Sequence, residues 1–478
     1  MSDRLDSVRQ TLHAHDQIHL LRFYDELDPP KQAALLDQIE AVDFVAIDEL
    51  IERHVRGAQA PEIPADLAPA PYYPGDPGDS LRPYDALHFR EVGEDLVRRG
   101  KVAAFTVAGG QGTRLGWNGP KGTFPATVVA GKPLFRSFAE QILATQAKYG
   151  IELPWYIMTS PANDAVTRAF FHDNNHFALP PKNIFFFPQG TLPSIDAENA
   201  RLLLDRKHLL ATHPDGHGGS IKALAASGAV DDMIGRGVEH ISYFQVDNPL
   251  ARAIDPLFIG LHVAADDSSG EMSSKMVAKA YPEEKVGVFC RGDGKTVVIE
   301  YSDLPDELAR QRDERHRLRF IAGSIAIHII AVDFVGKLTE DEHHFALPYH
   351  RAVKKTPYID LESGRRIEPE SPNAVKLETF VFDAIPLAES SLVYETDRVE
   401  EFAPIKNASG VDSVQTSHQL QSERAGRWLE ACGVHVPRDD EGRVHARIEI
   451  SPLTALEPAD LAHAELPDAI SPAQEILI

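Results

Sequence analysis

Residues 102–123 read VAAFTVAGGQGTRLGWNGPKGT. Val102 to Val107 forms a short strand-like run that feeds without interruption into a glycine-rich turn. Such a turn after a buried strand lets backbone N–H groups converge on one concavity, an arrangement that takes phosphate oxygens. Two standard phosphate loops do not fit. Gly110, Gly112 and Gly116 are spaced G-x-G-x-x-x-G, one residue too long for the dinucleotide fingerprint. Lys121-Gly122-Thr123 puts lysine before glycine, the reverse of the P-loop order. What remains is a glycine loop carrying Arg114, whose planar fork suits terminal phosphates, followed by Lys121 as a point charge for a nearer one. A simple tight turn has no need of both cations.

On either side of this loop the pattern changes. Upstream, to about residue 57, apolar residues such as Leu20, Phe23, Leu35, Leu36 and Ile39 recur at helical spacing. Residues 60–83 hold seven prolines (Pro61, Pro64, Pro69, Pro71, Pro74, Pro77, Pro83) and predict an extended surface connector, followed by a helix over about Tyr84–Arg99. Downstream, WYIM (155–158), IFFF (184–187), HISYFQ (240–245) and IAIHII (325–330) read as strands, with helical spacing over 137–149 and 165–171. This alternation predicts an α/β domain with a mostly parallel central sheet. The last stretch is mixed, with a helix expected over 415–431 and a strand within 444–450.

Composition narrows the function classes. With 43% hydrophobic and 25% charged residues the 478-residue chain reads as globular, and its length suggests two or three domains. A formal net charge of −24 disfavours nucleic acid as a partner and favours a monomer. An anionic ligand therefore requires basic residues gathered at its site. Cys290 and Cys432 are too few for a disulfide framework or a cysteine-based zinc site. No signal-type or membrane-spanning apolar run occurs, so a cytoplasmic protein is expected.

AGGQGTRLG (108–116) followed by PKG (120–122) resembles the signature of sugar nucleotidyltransferases, in the form used by eukaryotic-type UTP:hexose-1-phosphate uridylyltransferases. PWYIMTS (154–160), PDGHGG (214–219), VDNPL (246–250), AYPEEKVGV (280–288) and EYSD (300–303) follow in that family's order. KLETFVFD (376–383), FAPIKNA (402–408) and EISPL (449–453) complete the set, which most resembles the UDP-N-acetylhexosamine pyrophosphorylases. The resemblance implies a Rossmann-like (GT-A-like) catalytic domain over 100–388. A helical region with its proline connector precedes it over 1–99, and a small α/β domain follows over 389–478. The implied reaction is attack of a sugar-1-phosphate on the α-phosphorus of UTP, giving a UDP-sugar and pyrophosphate, with Mg2+ as cofactor.

Residue roles follow from the same resemblance. Arg114, Lys121 and Lys406 are the expected catalytic cations. Ala108, Gly109, Gly110, Gln111, Gly112, Gln189, Gly216, Asp247 and Lys376 are expected at the nucleotide, with Gln189 and Gly216 at the uracil edge and Asp247 also on the metal. An acidic side chain just after the HISYFQ strand suits that task. His217, Gly287, Glu300, Ser324, Phe380 and Phe382 are expected at the sugar, Glu300 accepting from ring hydroxyls. Phe380 and Phe382 alternate, which predicts one face of a strand.

Two positions depart from the N-acetylhexosamine pattern. His217 and Ser324 both stand where asparagine is usual, and a GHG at 216–218 is shared with UDP-glucose and broad-specificity UDP-sugar pyrophosphorylases. Losing an amide removes a donor and an acceptor available to an acetamide. N-acetylglucosamine-1-phosphate and glucose-1-phosphate thus both stand as expected substrates. The competing readings are a nicotinamide-dependent dehydrogenase, whose fingerprint fails by one residue, and a sugar-nucleotide sensor, which would not need every one of these charges.

Overall fold

The strand Val102–Val107 is buried at all six positions, so both its faces are covered, as a central strand of a parallel sheet requires. In the computed structural model, which describes residues 2–57, 63–340 and 346–478, it lies in the middle of a ten-stranded sheet. Pro61 and the start of the proline connector lie outside the described residues. The chain forms two compact units, neither continuous in sequence.

The larger unit comprises residues 63–189, 221–340 and 382–478. Here Ile184–Pro188, Trp155–Thr159, Val102–Val107 and His240–Gln245 run side by side, all parallel. The expected α/β architecture with a parallel sheet is thus what the structure shows, although the GT-A-like description fits it only loosely. Beyond His240–Gln245 the sheet turns antiparallel through Ala322–Ala331, which also pairs with Met272–Ala278. The helix Leu134–Tyr149 packs on the parallel half, and Phe135 and Phe138 join Trp155 and Phe171 in the main core. Two further helices, Ala86–Arg98 and Pro256–Ala264, touch backbone to backbone at glycines. A Cβ on Gly93 would fall 1.8 Å from the Pro256 carbonyl, and one on Gly260 1.7 Å from that of Phe89.

The connector is less superficial than its prolines suggest. Ala68–Pro69 pairs with Arg291 and Cys290 at the sheet edge, and Ala70 and Tyr73 are buried. Proline tolerates an edge strand because only one side there needs a ladder N–H. At the C-terminal end, the helix Val414–Ala431 starts on a Ser413/Thr416 capping box. The expected strand in 444–450 shortens to Arg447–Glu449, paired in parallel with Glu475–Leu477.

The smaller unit joins residues 1–62 with 190–220 and 341–381. Leu12, Leu20, Leu35, Leu36 and Ile39 share one apolar cluster with Ile195, Leu202, Val375 and Leu377. The helix Pro29–Glu40 is opened by Asp28, whose carboxylate accepts from the Lys31 amide. Around Leu20 and Tyr24 the expected helix reduces to single 3-10 turns. Its sheet pairs Ala374–Glu378 with His350–Lys354 and with Ile195–Asp196.

Candidate active site

Strand order determines where chemistry is possible. The chain after Val102–Val107 proceeds to one side, through Trp155–Thr159 and Ile184–Pro188, and returns on the other as His240–Gln245. Between Val102–Val107 and His240–Gln245 lies a topological switch point, the place where open α/β sheets take ligands at their carboxyl edge. Val107 and Gln245 are register partners, so the glycine loop and Asp247 emerge side by side.

The loop is a tight excursion held by its own backbone. The Lys121 amide donates to the Gly110 carbonyl (3.0 Å), the Gly112 amide to Gly119 (2.9 Å), and the Trp117 amide to Gly112 (3.0 Å). Its glycines have different causes. A Cβ on Gly112 would meet Trp117 at 2.7 Å, and one on Gly122 would meet Phe135 at 2.1 Å, so packing dictates both. Gly116 sits at φ +70, the left-handed conformation that closes the Thr113–Leu115 turn. Gly110 is different: its Cβ would find only Lys121 Cε, at 3.9 Å. Packing within the chain does not demand glycine there, whereas a ligand lying against the backbone would.

Lys121 and Asp247 face each other across the switch point. The Lys121 ammonium donates to Asp247 Oδ2 at 3.1 Å, and the two side chains are only 16% and 18% exposed. Lys406 is brought to the same edge, because the amide of Ile405 donates to the Asp247 carbonyl (2.8 Å). Its own ammonium lies 3.4 Å from Asp412. Arg114 stands exposed on the loop and makes no ion pair among the described residues. Ala108 is buried, its carbonyl accepting from Asn163 (3.1 Å), while Gln111 is exposed and bridges Pro120. Gln189 also reaches the loop: a Cβ on Gly109 would fall 2.3 Å from Gln189 Oε1.

Gly287, Glu300 and Ser324 form a second group in the same unit. The Ser324 amide donates to the Gly287 carbonyl (2.7 Å), and a Cβ on Gly287 would fall 3.5 Å from Glu300 Oε1. Gly287 and Glu300, which flank the paired strands Val288–Gly292 and Lys295–Ile299, thus meet Ser324 on the strand Ala322–Ala331.

Gly216, His217, Lys376 and Phe380 belong to the smaller unit. Gly216 has φ +89, and a Cβ there would strike the Thr379 carbonyl at 2.3 Å. His217 stacks on Phe380 with ring centroids 5.2 Å apart, and Phe380 stacks in turn on His350 at 4.4 Å. His217 Nδ1 accepts from the Val381 amide (3.1 Å), so the proton of the neutral ring is on Nε2. Burial pushes this imidazole down to about 4, with His350 adding to the effect. Lys376, on Ala374–Glu378, is also lowered by burial, Lys354 contributing.

The predicted placement of Phe380 and Phe382 on one strand face does not hold. The strand ends at Glu378, because the Thr379 amide turns aside to the Asp215 carbonyl (2.8 Å) and Phe382 enters a 3-10 helix, Val381–Leu387. Alternation in FVFD therefore has no pleat to act on.

Sequence reasoning missed Asn248 and a buried ion cluster. Asn248 is 3% exposed, and its side chain bonds the backbone of both Glu401 and Ala403. Lys275, 1% exposed, is bonded by Asp255 and Glu401. The signal is weak in the sequence MSSKMVA, where two serines precede the lysine; only burial of the strand shows that this charge requires carboxylate partners.

The sequence and the fold are similar to those of known proteins. The model of the UTP–glucose-1-phosphate uridylyltransferase family matches residues 75–429. Human UDP-N-acetylhexosamine pyrophosphorylase-like protein 1 is 37% identical over 473 residues, covering 94% of this chain and 92% of its own. The Saccharomyces cerevisiae UDP-N-acetylglucosamine pyrophosphorylase is 37% identical over 353 residues, 72% of this chain and 73% of its own. Among solved structures, the Trypanosoma brucei uridine diphosphate N-acetylglucosamine pyrophosphorylase superposes with a TM-score of 0.81 at 25% identity, covering 100% of this chain and 98% of its own. With its family match spanning most of the sequence and the human relative matched over nearly its full length, the chain belongs to the UTP–glucose-1-phosphate uridylyltransferase family.

Proposed function

We propose that this protein transfers uridylyl groups: the phosphate oxygen of a sugar-1-phosphate attacks the α-phosphorus of UTP, and pyrophosphate leaves. The observation that carries the reading is the Lys121–Asp247 pair at the switch point, with Lys406 joined to the same strand end and a sterically open Gly110 beside it. Catalysis of this kind is positioning plus charge stabilisation and needs no protein nucleophile. Lys121 has three ammonium donors and spends one on Asp247, leaving two for phosphate oxygens. Lys406, Lys376 and Arg114 are the further cations assigned to the phosphates of the two substrates, with Ala108, Gly109, Gln111 and Gly112 shaping the loop around UTP.

Asp247 fits a Mg2+ ion. Only its Oδ2 is bonded to Lys121, and a single carboxylate completed by phosphate oxygens is a common way of holding this cation. Bound there, Mg2+ would neutralise charge developing on the phosphates. Gln189 is assigned to the uracil edge, and its contact with Gly109 makes that testable. Gly109→Ala displaces the Gln189 amide; KM for UTP is expected to rise up to ~10-fold, the worth of one hydrogen bond, with little change in Tm. An unchanged KM removes Gln189 from uracil recognition.

For the sugar, the names of the relatives favour N-acetylglucosamine-1-phosphate. Gly287, Glu300 and Ser324 are assigned to the hexose, with His217, Phe380 and Phe382. Glucose-1-phosphate is the second reading, favoured by His217 and Ser324. His217→Asn is expected to raise the kcat/KM ratio of N-acetylglucosamine-1-phosphate over glucose-1-phosphate; an unaltered ratio takes His217 out of sugar selection. Cys290 and Cys432 as free thiols support a reducing, cytoplasmic setting, and among the described residues no helix is long and apolar enough to cross a membrane. The deciding assay is pyrophosphate release from UTP and Mg2+ with a panel of sugar-1-phosphates. Absence of release with every sugar would overturn the proposal.

A further inference from the structure

Segment 401–406 carries no regular structure beyond the end of a short helix, Arg398–Glu401, yet it is buried through Ile405. Backbone this deep needs partners, and Asp247 and Asn248 supply them. Asn248 Nδ2 donates to the Glu401 carbonyl (2.7 Å), the Ala403 amide donates to Asn248 Oδ1 (3.0 Å), and the Ile405 amide donates to the Asp247 carbonyl (2.8 Å). One carboxamide therefore serves one donor and one acceptor of the neighbouring chain, as a strand partner would. Aspartate keeps the acceptor but loses the donor; alanine loses both.

The far end of the segment is anchored by charge. Lys275 Nζ donates to both oxygens of Glu401 (2.7 and 2.6 Å) and to Asp255 Oδ2 (2.5 Å). Asp255 also caps the helix Pro256–Ala264 through the amides of Leu257 and Phe258, so it is held by a rigid element. Burial raises the Asp255 carboxyl, but Lys275 and Arg252 outweigh it and keep the group ionised. Lys406 is the first side chain after this tether.

We infer that Asn248 and Lys275 are positioning residues for the uridylyl-transfer site: Lys275 anchors Glu401, Asn248 fastens 401–403 to the strand end, and together they set Lys406 against Asp247. This rests on the reaction proposed above, but its structural half can be read without turnover.

The test combines amide exchange with a double-mutant cycle on the full-length chain. In Asn248→Ala, hydrogen exchange of the Ala403 amide, read in the peptide spanning 401–407, is expected to rise at least ~10-fold, since that amide loses its partner. kcat is expected to fall ~10-fold while KM for UTP stays within ~3-fold, because a displaced Lys406 costs charge placement and leaves nucleotide binding in place. In a Lys406→Ala background the same substitution is expected to lower kcat by less than ~2-fold, the mark of two residues acting as one. Should Asn248→Ala not fold, Asn248→Asp, which still accepts from the Ala403 amide but no longer donates to the Glu401 carbonyl, carries the kcat expectation, and Lys275→Met repeats the exchange measurement from the anchored end. Unchanged exchange over 401–407 overturns the inference, as does a full ~10-fold loss persisting without the Lys406 amine. A wild type inactive with every sugar phosphate would instead strike the functional reading, while the exchange arm still decides whether the tether exists.

Discussion

Lys121→Ala is expected to lower turnover of UTP with N-acetylglucosamine-1-phosphate at least ~10-fold, and by as much as ~10²–10³ if this amine meets charge that grows in the transition state. Two losses combine. A donor aimed at the switch point disappears, and Asp247, 18% exposed, loses the ammonium 3.1 Å from its Oδ2. The fold should persist, because the shape of the loop rests on main-chain bonds at Gly110 and Gly112 and on Trp117 and Phe135, not on the lysine side chain. Lys121→Arg is not expected to restore the rate, since a wide planar fork replaces a compact charge beside Gly110. Steady-state kinetics with a thermal melt checks both halves: wild-type turnover removes Lys121 from the mechanism, and a collapsed Tm would show that it is structural.

The parts of the molecule legible in sequence are those where a local pattern and a tertiary demand coincide. Val102–Val107 and His240–Gln245 were readable residue for residue, because strands covered on both faces are rich in apolar and aromatic residues and are bounded by turn formers. The helix Val414–Ala431 was legible to within one residue for a similar reason. Ala322–Ala331 was legible as a strand, but its antiparallel direction was not, since direction depends on which strand lies alongside. The same holds for the smaller unit. Nothing local says that Leu35 and Leu36 are to be covered by Val375 and Leu377, some 340 positions away.

At the site the division is similar. Glycine spacing and charge marked the loop and Lys121, but the separate causes of its glycines appear only when the neighbours are in place: Phe135 behind Gly122, Trp117 beside Gly112, open space at Gly110. Asn248 was invisible for a different reason. Asp-Asn after a strand is an ordinary turn opener, and only the chain at 401–405 gives its amide a task. Phe380 shows the converse error, a periodicity read correctly in a segment that had already left the sheet.

Asp247→Asn tests the other half of the charge pair, and its effect is expected to be at least as large as that of Lys121→Ala. The substitution preserves volume and leaves an oxygen able to accept from Lys121, so the 3.1 Å contact and the Ile405 bond to the main-chain carbonyl can both survive. What it removes is one negative charge. Metal affinity at a site with a single protein carboxylate depends directly on that charge, so the Mg2+ concentration giving half-maximal rate should rise at least ~10-fold, and kcat at saturating Mg2+ should stay below wild type by ~10²-fold. The sign separates this from simple loss of structure: a misfolded variant is slow at every Mg2+ concentration with an unshifted midpoint, whereas a weakened metal site moves the midpoint. Lys121→Ala gives the opposite electrostatic change, since removing a cation beside Asp247 leaves the carboxylate freer for Mg2+, and its midpoint should stay or fall. A rise in both variants would mean that the pair acts as one structural unit, and a rise in neither would exclude Asp247 as the Mg2+ ligand.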